Sequence, residues 1–338
     1  VYATPYSALG TELSSDYDER TSIQASKTGF FVVSLLYPSV AGMAIFFRAT
    51  PQYPVGQLNP YAYLDMALLA SAVALAAAVF CIVATWKYIP SLPQGKRSNA
   101  TLGGIYRSMW GAFGNANFRR LAFGYLFINI SAATVSAVGL HVFTYTYGLG
   151  SAHIALVFGT LFGMAIVSQA FWIRFTRKRD KRSGMLAAIV LSIIGTVGFV
   201  GSLFLREERA LAVGVLTACA LVVGAGVGGC LSIPYSMLSD TIDLEEFNTG
   251  NRAEGVYNGC LTFLYKLAQS VVMLFLGIML DAIGFDAELA VQSTHTAQAL
   301  GWVLPAGLFA AFLPALIFFL RYRQSREDVA RIQEMIMR

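Results

Sequence analysis

Long apolar runs, each near the length of a membrane crossing, alternate along this chain with short polar stretches. A helix spanning the hydrocarbon needs about 20 mostly apolar residues. Runs of that kind occupy residues 27–47, 64–86, 121–147, 153–173, 184–205, 211–237, 256–280 and 299–320. They predict an all-α, polytopic membrane protein of about eight complete transmembrane helices. A short apolar piece before them, residues 1–9, reads as the end of a preceding span.

Composition supports lipid as the solvent. Of 338 residues, 56% are hydrophobic and 13% charged, where a soluble domain carries roughly 25% charged residues. The net charge is +5, but the basic residues sit in short runs between apolar blocks, a pattern of membrane topology and not of nucleic-acid binding. With the spans above, only Arg48, Arg206 and Arg209 fall on one side; every other Lys and Arg except Lys266 falls on the opposite side. Basic loops stay cytoplasmic, so the carboxyl terminus is expected inside, in a plasma membrane (the inner membrane if the chain is bacterial). The connection 87–120 holds Lys96-Arg97 and Tyr106-Arg107-Ser108-Met109-Trp110 without an acid. It reads as a cytoplasmic linker with an interfacial helix.

Catalytic chemistry is not signalled. Cys81, Cys219, Cys230 and Cys260 lie in apolar stretches without CxxC spacing or a nearby histidine. No nucleophile–base pair or metal-ligand spacing occurs, so no enzyme, cofactor or metal site is expected. Gly224, Gly226, Gly228 and Gly229 only faintly suggest a dinucleotide loop; inside an apolar span they read as close helix packing.

An internal repeat carries more information. Pro5-Tyr6-Ser7-Ala8-Leu9 recurs as Pro234-Tyr235-Ser236-Met237-Leu238. Each copy leads into an acidic loop and an arginine: Asp16, Asp18, Glu19 and Arg20 in the first, Asp240, Asp243, Glu245, Glu246 and Arg252 in the second. Two apolar spans follow each copy. Both copies fall on the cytoplasmic side, so the halves run parallel, as in the major facilitator fold. The second half has six spans. A matching first half would be amino-terminally truncated here, lacking three spans and most of a fourth.

Lys266 is the only Lys or Arg near the middle of an expected span. A charge at that depth costs about 2.5–3.5 kcal/mol on insertion scales. It lies 14 residues past Arg252, roughly 20 Å at 1.5 Å per residue, beyond the reach of a snorkelling stem. Asn258, Thr262, Tyr265, Lys266 and Gln269 recur at three- and four-residue spacing and share a helix face. That stripe predicts a watery cavity for a small-molecule solute; a structural lysine paired with a carboxylate on another helix is the alternative. Tyr125 and Asn129 are weaker cavity candidates, since interhelical hydrogen bonds explain them nearly as well. Asp16, Glu19, Arg20, Asp240, Asp243 and Arg252 could bridge the halves as a cytoplasmic gate, or simply be solvated loop charges.

Together these residues resemble the glycoside–pentoside–hexuronide cation symporter family, the melibiose-permease branch of the major facilitator superfamily. The resemblance rests on Pro5-Tyr6-Ser7-Ala8-Leu9 with Asp16-Tyr17-Asp18-Glu19-Arg20-Thr21, on Ser239-Asp240-Thr241-Ile242-Asp243 through Thr249-Gly250-Asn251-Arg252, and on Asn115-Ala116-Asn117-Phe118-Arg119. It implies symport of a sugar or glycoside by alternating access, coupled to Na⁺ or H⁺, in a monomer. It implies the end of the family's fourth helix with its fifth and sixth over 1–90, a linker over 91–118, a six-helix bundle over 119–322 and a cytoplasmic tail over 323–338. Lys266 stands where the family has a lysine in the substrate and cation cavity, with Thr262 one turn away. Lys27 sits near the family's sugar-binding arginine, without that residue's bidentate fork. Two positions depart from the pattern: Ala3 replaces an aspartate shared by cation and sugar sites, and Ser7 replaces a sugar-stacking aromatic. A lysolipid carrier of the same fold and a solute sensor that moves nothing are the competing readings.

Overall fold

The computed structural model describes residues 30, 33–34, 36–91, 102–249, 254–287 and 289–323. Among the described residues the chain is helical, without strands. We number the helices α1 (Pro60–Thr85), α2 (Leu102–Ala112), α3 (Ala116–His141), α4 (Ser151–Lys178), α5 (Lys181–Leu203), α6 (Arg209–Thr249), α7 (Glu254–Ala282) and α8 (Thr294–Leu320). All but α2 are long and apolar enough to cross a membrane. They match seven of the eight expected spans. The remaining span, 27–47, is described continuously only from residue 36, and there it is helical through Ile45.

Local chemistry sets several boundaries. Asn59 precedes Pro60 at the first position of α1 and accepts from the Tyr61 N–H at 3.1 Å. Asn115 caps α3 by accepting from the amides of Asn117 and Phe118. Ser293 caps α8 through the Thr296 amide. Each side-chain oxygen satisfies N–H groups that the first helical turn leaves without partners. At its carboxyl-terminal end α3 continues as a π-helical turn, Val142–Thr146, before Gly148 reverses the chain at φ +60°. That positive φ suits glycine because it has no Cβ.

The chain divides into two compact units, Val1–Asn99 and Ala100–Arg338. In the first, the start of α1 packs on the preceding segment: the Tyr37 hydroxyl donates to the Met66 carbonyl, and the Tyr63 hydroxyl to that of Gln57. Beyond that contact α1 presents Leu68, Val73, Phe80 and Val83, each at least 60% exposed. In water such a surface would aggregate; in a bilayer it is solvated.

In the second unit α6 packs along α4 and α5, α3 packs on α7 and α8, and α8 also packs on α5. The glycines of α6 make the first of these contacts possible. A Cβ at Gly226 would overlap the Ser192 hydroxyl, and one at Gly228 the Ser168 hydroxyl and the Ala165 carbonyl. Their close-packing reading therefore holds, and for a physical reason: lipid offers no hydrophobic drive between helices, so close backbone approach supplies the attraction.

One expectation changes. The acidic segment after Leu238 is not a loop, because α6 continues through it to Thr249. Leu238, Thr241 and Ile242 stay buried at helical spacing, and no Gly or Pro interrupts the stretch before Gly250. Helical periodicity outlasts the apolar run.

Candidate functional site

Helix α7 has three faces. Tyr257, Cys260, Leu261, Leu264, Ala268 and Val272 are buried, and the helix packs mainly on α3. At about 100° per residue, Tyr265, Asn258, Gln269, Thr262 and Lys266 follow in that order round one flank. Lys266 lies roughly opposite the buried face. Round the other flank lie Phe263, Leu267 and Leu274, which are 57%, 37% and 64% exposed. Along residues 258–270 the polar and apolar flanks thus point in different directions; further along, Met273, 63% exposed, falls in angle between Thr262 and Lys266. An apolar flank suits acyl chains, whereas a flank holding an ammonium, an amide and hydroxyls needs water or ligand.

Within the polar flank the side chains are organised. The Gln269 amide donates to the Tyr265 hydroxyl at 3.0 Å. The Lys266 ammonium stands 5.2 Å from the Tyr265 ring centre, within cation–π range. The Thr262 hydroxyl donates to the Asn258 carbonyl and the Ser270 hydroxyl to that of Lys266, which internalises two hydroxyl protons and leaves their oxygens as acceptors. Lys266 is exposed and makes no ion pair among the described residues.

Tyr125 and Asn129 occupy a different environment. Both are buried on α3. Asn129 turns its amide back to the Tyr125 carbonyl at 2.8 Å. The Tyr125 hydroxyl meets that of Tyr235 on α6 at 2.9 Å, with the rings edge-on at 5.9 Å. The Tyr265 phenol is an electrostatic neighbour of Tyr125. The Tyr125–Tyr235 pair therefore links α3 to α6. Tyr235 escaped the sequence reading because it sat inside the repeated pentapeptide and was read only as part of a repeat.

At the start of α5, the Lys181 ammonium donates to both Asp240 carboxylate oxygens, at 2.7 and 2.6 Å, and to the Ser236 carbonyl. The Arg182 guanidinium donates to the carbonyls of Phe319 and Leu320 at the end of α8. Asn115 donates to Glu245 at 2.8 Å, and the hydroxyls of Thr241 and Tyr322 meet at 3.3 Å. Burial, with Asp240 adding to it, raises the Tyr322 phenol above its ordinary value, so it remains neutral. Asp240 is thereby tied to α5 within its own unit. Lys181 carried no distinguishing signal in sequence, being one of a run of basic residues after α4.

Lys27, Asp16, Glu19, Arg20 and Arg252 lie outside the described residues, as does the first copy of the repeat. Asp243 is described only as part of the α6 backbone.

Known proteins are similar to this chain in sequence. Residues 1–326 match the family described as MFS/sugar transport protein. A putative sulfoquinovose importer of Salmonella typhimurium is 26% identical over 98% of this chain and 66% of its own length. An isoprimeverose transporter of Lactiplantibacillus pentosus is 28% identical over 57% of this chain and 40% of its own. A putative 2,3-dihydroxypropane-1-sulfonate exporter of Escherichia coli is 34% identical over 31% and 23%. The chain spans no more than 66% of the length of any of these relatives. With seven membrane-length helices among its described residues and a family match over residues 1–326, the chain is a multi-pass membrane protein that belongs to the MFS/sugar transport protein family.

Proposed function

We propose that the whole protein carries a sugar or glycoside across the membrane by alternating access, in symport with Na⁺ or H⁺. The observation that carries this reading is the separation of faces on α7, which aims the Lys266 flank away from the apolar flank of the same helix. Relatives named for importing sulfoquinovose and transporting isoprimeverose support a sugar-type solute. In this reading Lys266, Thr262, Tyr265 and Gln269 contact solute or its hydration, with Asn258 at the inner end of the stripe and Lys27 contributing from the first half. Tyr125 and Asn129 hold the wall behind them. Asp240 and Asp243, with Arg252 and with Asp16, Glu19 and Arg20, supply charges for closing the inner side.

Uptake of labelled sugar into vesicles holding the full-length protein tests it, with and without a cation gradient. Concentrative uptake that the gradient drives and Lys266→Ala abolishes, at normal membrane insertion, is expected. Saturable binding without uptake would replace the carrier with a sensor, and uptake of lysolipid alone would replace sugar. The basic loops support a carboxyl terminus on the inner side. A fluorescent protein fused there folds and glows, and an alkaline phosphatase fused there stays inactive; the reverse pattern contradicts that orientation.

A further inference from the structure

Helices α5 and α8 pack on one another and run antiparallel. At one end the Arg182 guanidinium donates to the Phe319 and Leu320 carbonyls. At the other, the Phe204 and Trp302 rings meet edge-on at 6.2 Å. Between these ends both helices present apolar side chains outward. Val190, Ile194 and Val197 on α5, with Leu313, Ile317 and Leu320 on α8, are each 43–57% exposed. Trp302, Leu313, Ile317 and Leu320 fall within about 60° of one another round the α8 axis, while Leu308, Ala311 and Ala315 on the far side are buried in the bundle.

The dimensions and the end groups of this face indicate what covers it. Trp302 and Arg321 are 19 residues apart, about 28 Å at 1.5 Å per residue, close to the roughly 30 Å of bilayer hydrocarbon. An aromatic pair closes the apolar band at one level, and arginines close it at the other, as at the two interfaces of a membrane. A protein neighbour would set neither that length nor those end groups.

The arginine end is strongly positive. Residues 174–182 hold six basic side chains and one acid, and Arg321 and Arg323 are exposed just beyond α8. Lys181 is engaged by Asp240, which leaves Arg182 as the cation at the seam between α5 and α8. Its fork has five N–H donors, of which two serve the carbonyls at the negative end of the α8 dipole. Those bonds fix the guanidinium beside Arg321, at the level where the apolar band ends. A phosphate suits such a fork. Val190 and Leu313 each lie eight residues from the arginine of their own helix, about 12 Å along it, within the depth of one leaflet.

We propose that an anionic phospholipid binds at the α5–α8 seam, its phosphate on Arg182 and Arg321 and its acyl chains along Val190, Leu313 and Ile317. The assignment holds whatever solute the protein carries.

The test uses full-length protein in detergent, titrated with dioleoyl phosphatidylglycerol or dioleoyl phosphatidylcholine, with bound lipid counted by native mass spectrometry. Phosphatidylglycerol carrying a photoreactive acyl chain then maps the contact. The anionic lipid is expected to be retained about tenfold or more tightly than the zwitterionic one, and Arg182→Gln and Arg321→Gln each to weaken it about fivefold. Arg206→Gln, beyond the Phe204 end, is expected to change nothing. Arg321 is exposed, so Arg321→Gln should melt as the parent does without lipid; it separates loss of lipid from loss of fold should Arg182→Gln loosen the helix contact. The photolabel is expected on Val190, Leu313 or Ile317. Equal retention of the two lipids overturns the proposal, as does a preference that survives both arginine variants or falls equally with Arg206→Gln. Inorganic phosphate that displaces the lipid in full overturns it, since the acyl chains would then contribute nothing. Label that misses α5 and α8 also overturns it, and is the result expected of a face covered by protein.

Discussion

The Lys181 ammonium at the start of α5 holds both carboxylate oxygens of Asp240, five residues beyond Tyr235 on α6. The same ammonium reaches the Ser236 carbonyl one turn back. A single side chain therefore fastens the carboxyl-terminal part of α6 to the start of α5. The side chains are 31% and 12% exposed, so part of the Coulomb attraction is screened.

Asp240→Asn should remove the ionic part of this contact and leave a half-buried ammonium without its counter-charge. The expected cost is about 1–2 kcal/mol, discounted for solvent screening. A double-mutant cycle with Lys181→Met, read by thermal melting in detergent, should return a coupling of about 1 kcal/mol. A coupling indistinguishable from zero would show that the contact contributes nothing to stability.

The Tyr125–Tyr235 pair should respond asymmetrically. Tyr125 is buried, while Tyr235 is 52% exposed. Tyr235→Phe strands a buried hydroxyl and should cost about 1–2 kcal/mol. Tyr125→Phe leaves the more exposed of the two hydroxyls, and should cost less in hydrogen bonding. Melting temperatures of the two variants decide it; equal losses, or a larger loss for Tyr125→Phe, would contradict the burial assignment.

Close packing along α6 gives a third expectation. Gly228→Leu forces a branched side chain into the Ser168 hydroxyl and the Ala165 carbonyl and should cost about 1–3 kcal/mol or more by overpacking. Gly201→Leu, where a Cβ would meet nothing within 4 Å, is the control and should melt as the parent does. Matched melting of the two variants would remove the packing account of the glycine cluster.

What sequence revealed and what it concealed follow from the range of the interactions. The spans were legible because each is set by its own length and apolarity. The α7 stripe was legible because Asn258, Thr262, Tyr265, Lys266 and Gln269 fall within three turns of one another, where helical spacing alone decides who shares a face. Lys181 and Asp240 are 59 residues apart and Tyr125 and Tyr235 are 110 apart, so neither pair leaves a local signature. The acidic stretch after Leu238 is helical although its charges suggest a loop. The buried Thr241 and Ile242 show that helical spacing was the better guide.

A carrier cavity requires water to reach the Lys266 side of α7, and cysteine accessibility measures that directly. In full-length protein with Cys81, Cys219, Cys230 and Cys260 replaced, single cysteines at Lys266 and Thr262 would be compared with ones at Phe263 and Leu274. A charged, membrane-impermeant thiosulfonate should label positions 266 and 262 readily and positions 263 and 274 slowly or not at all. Labelling at 263 and 274 that equals or exceeds labelling at 266 and 262 would contradict it.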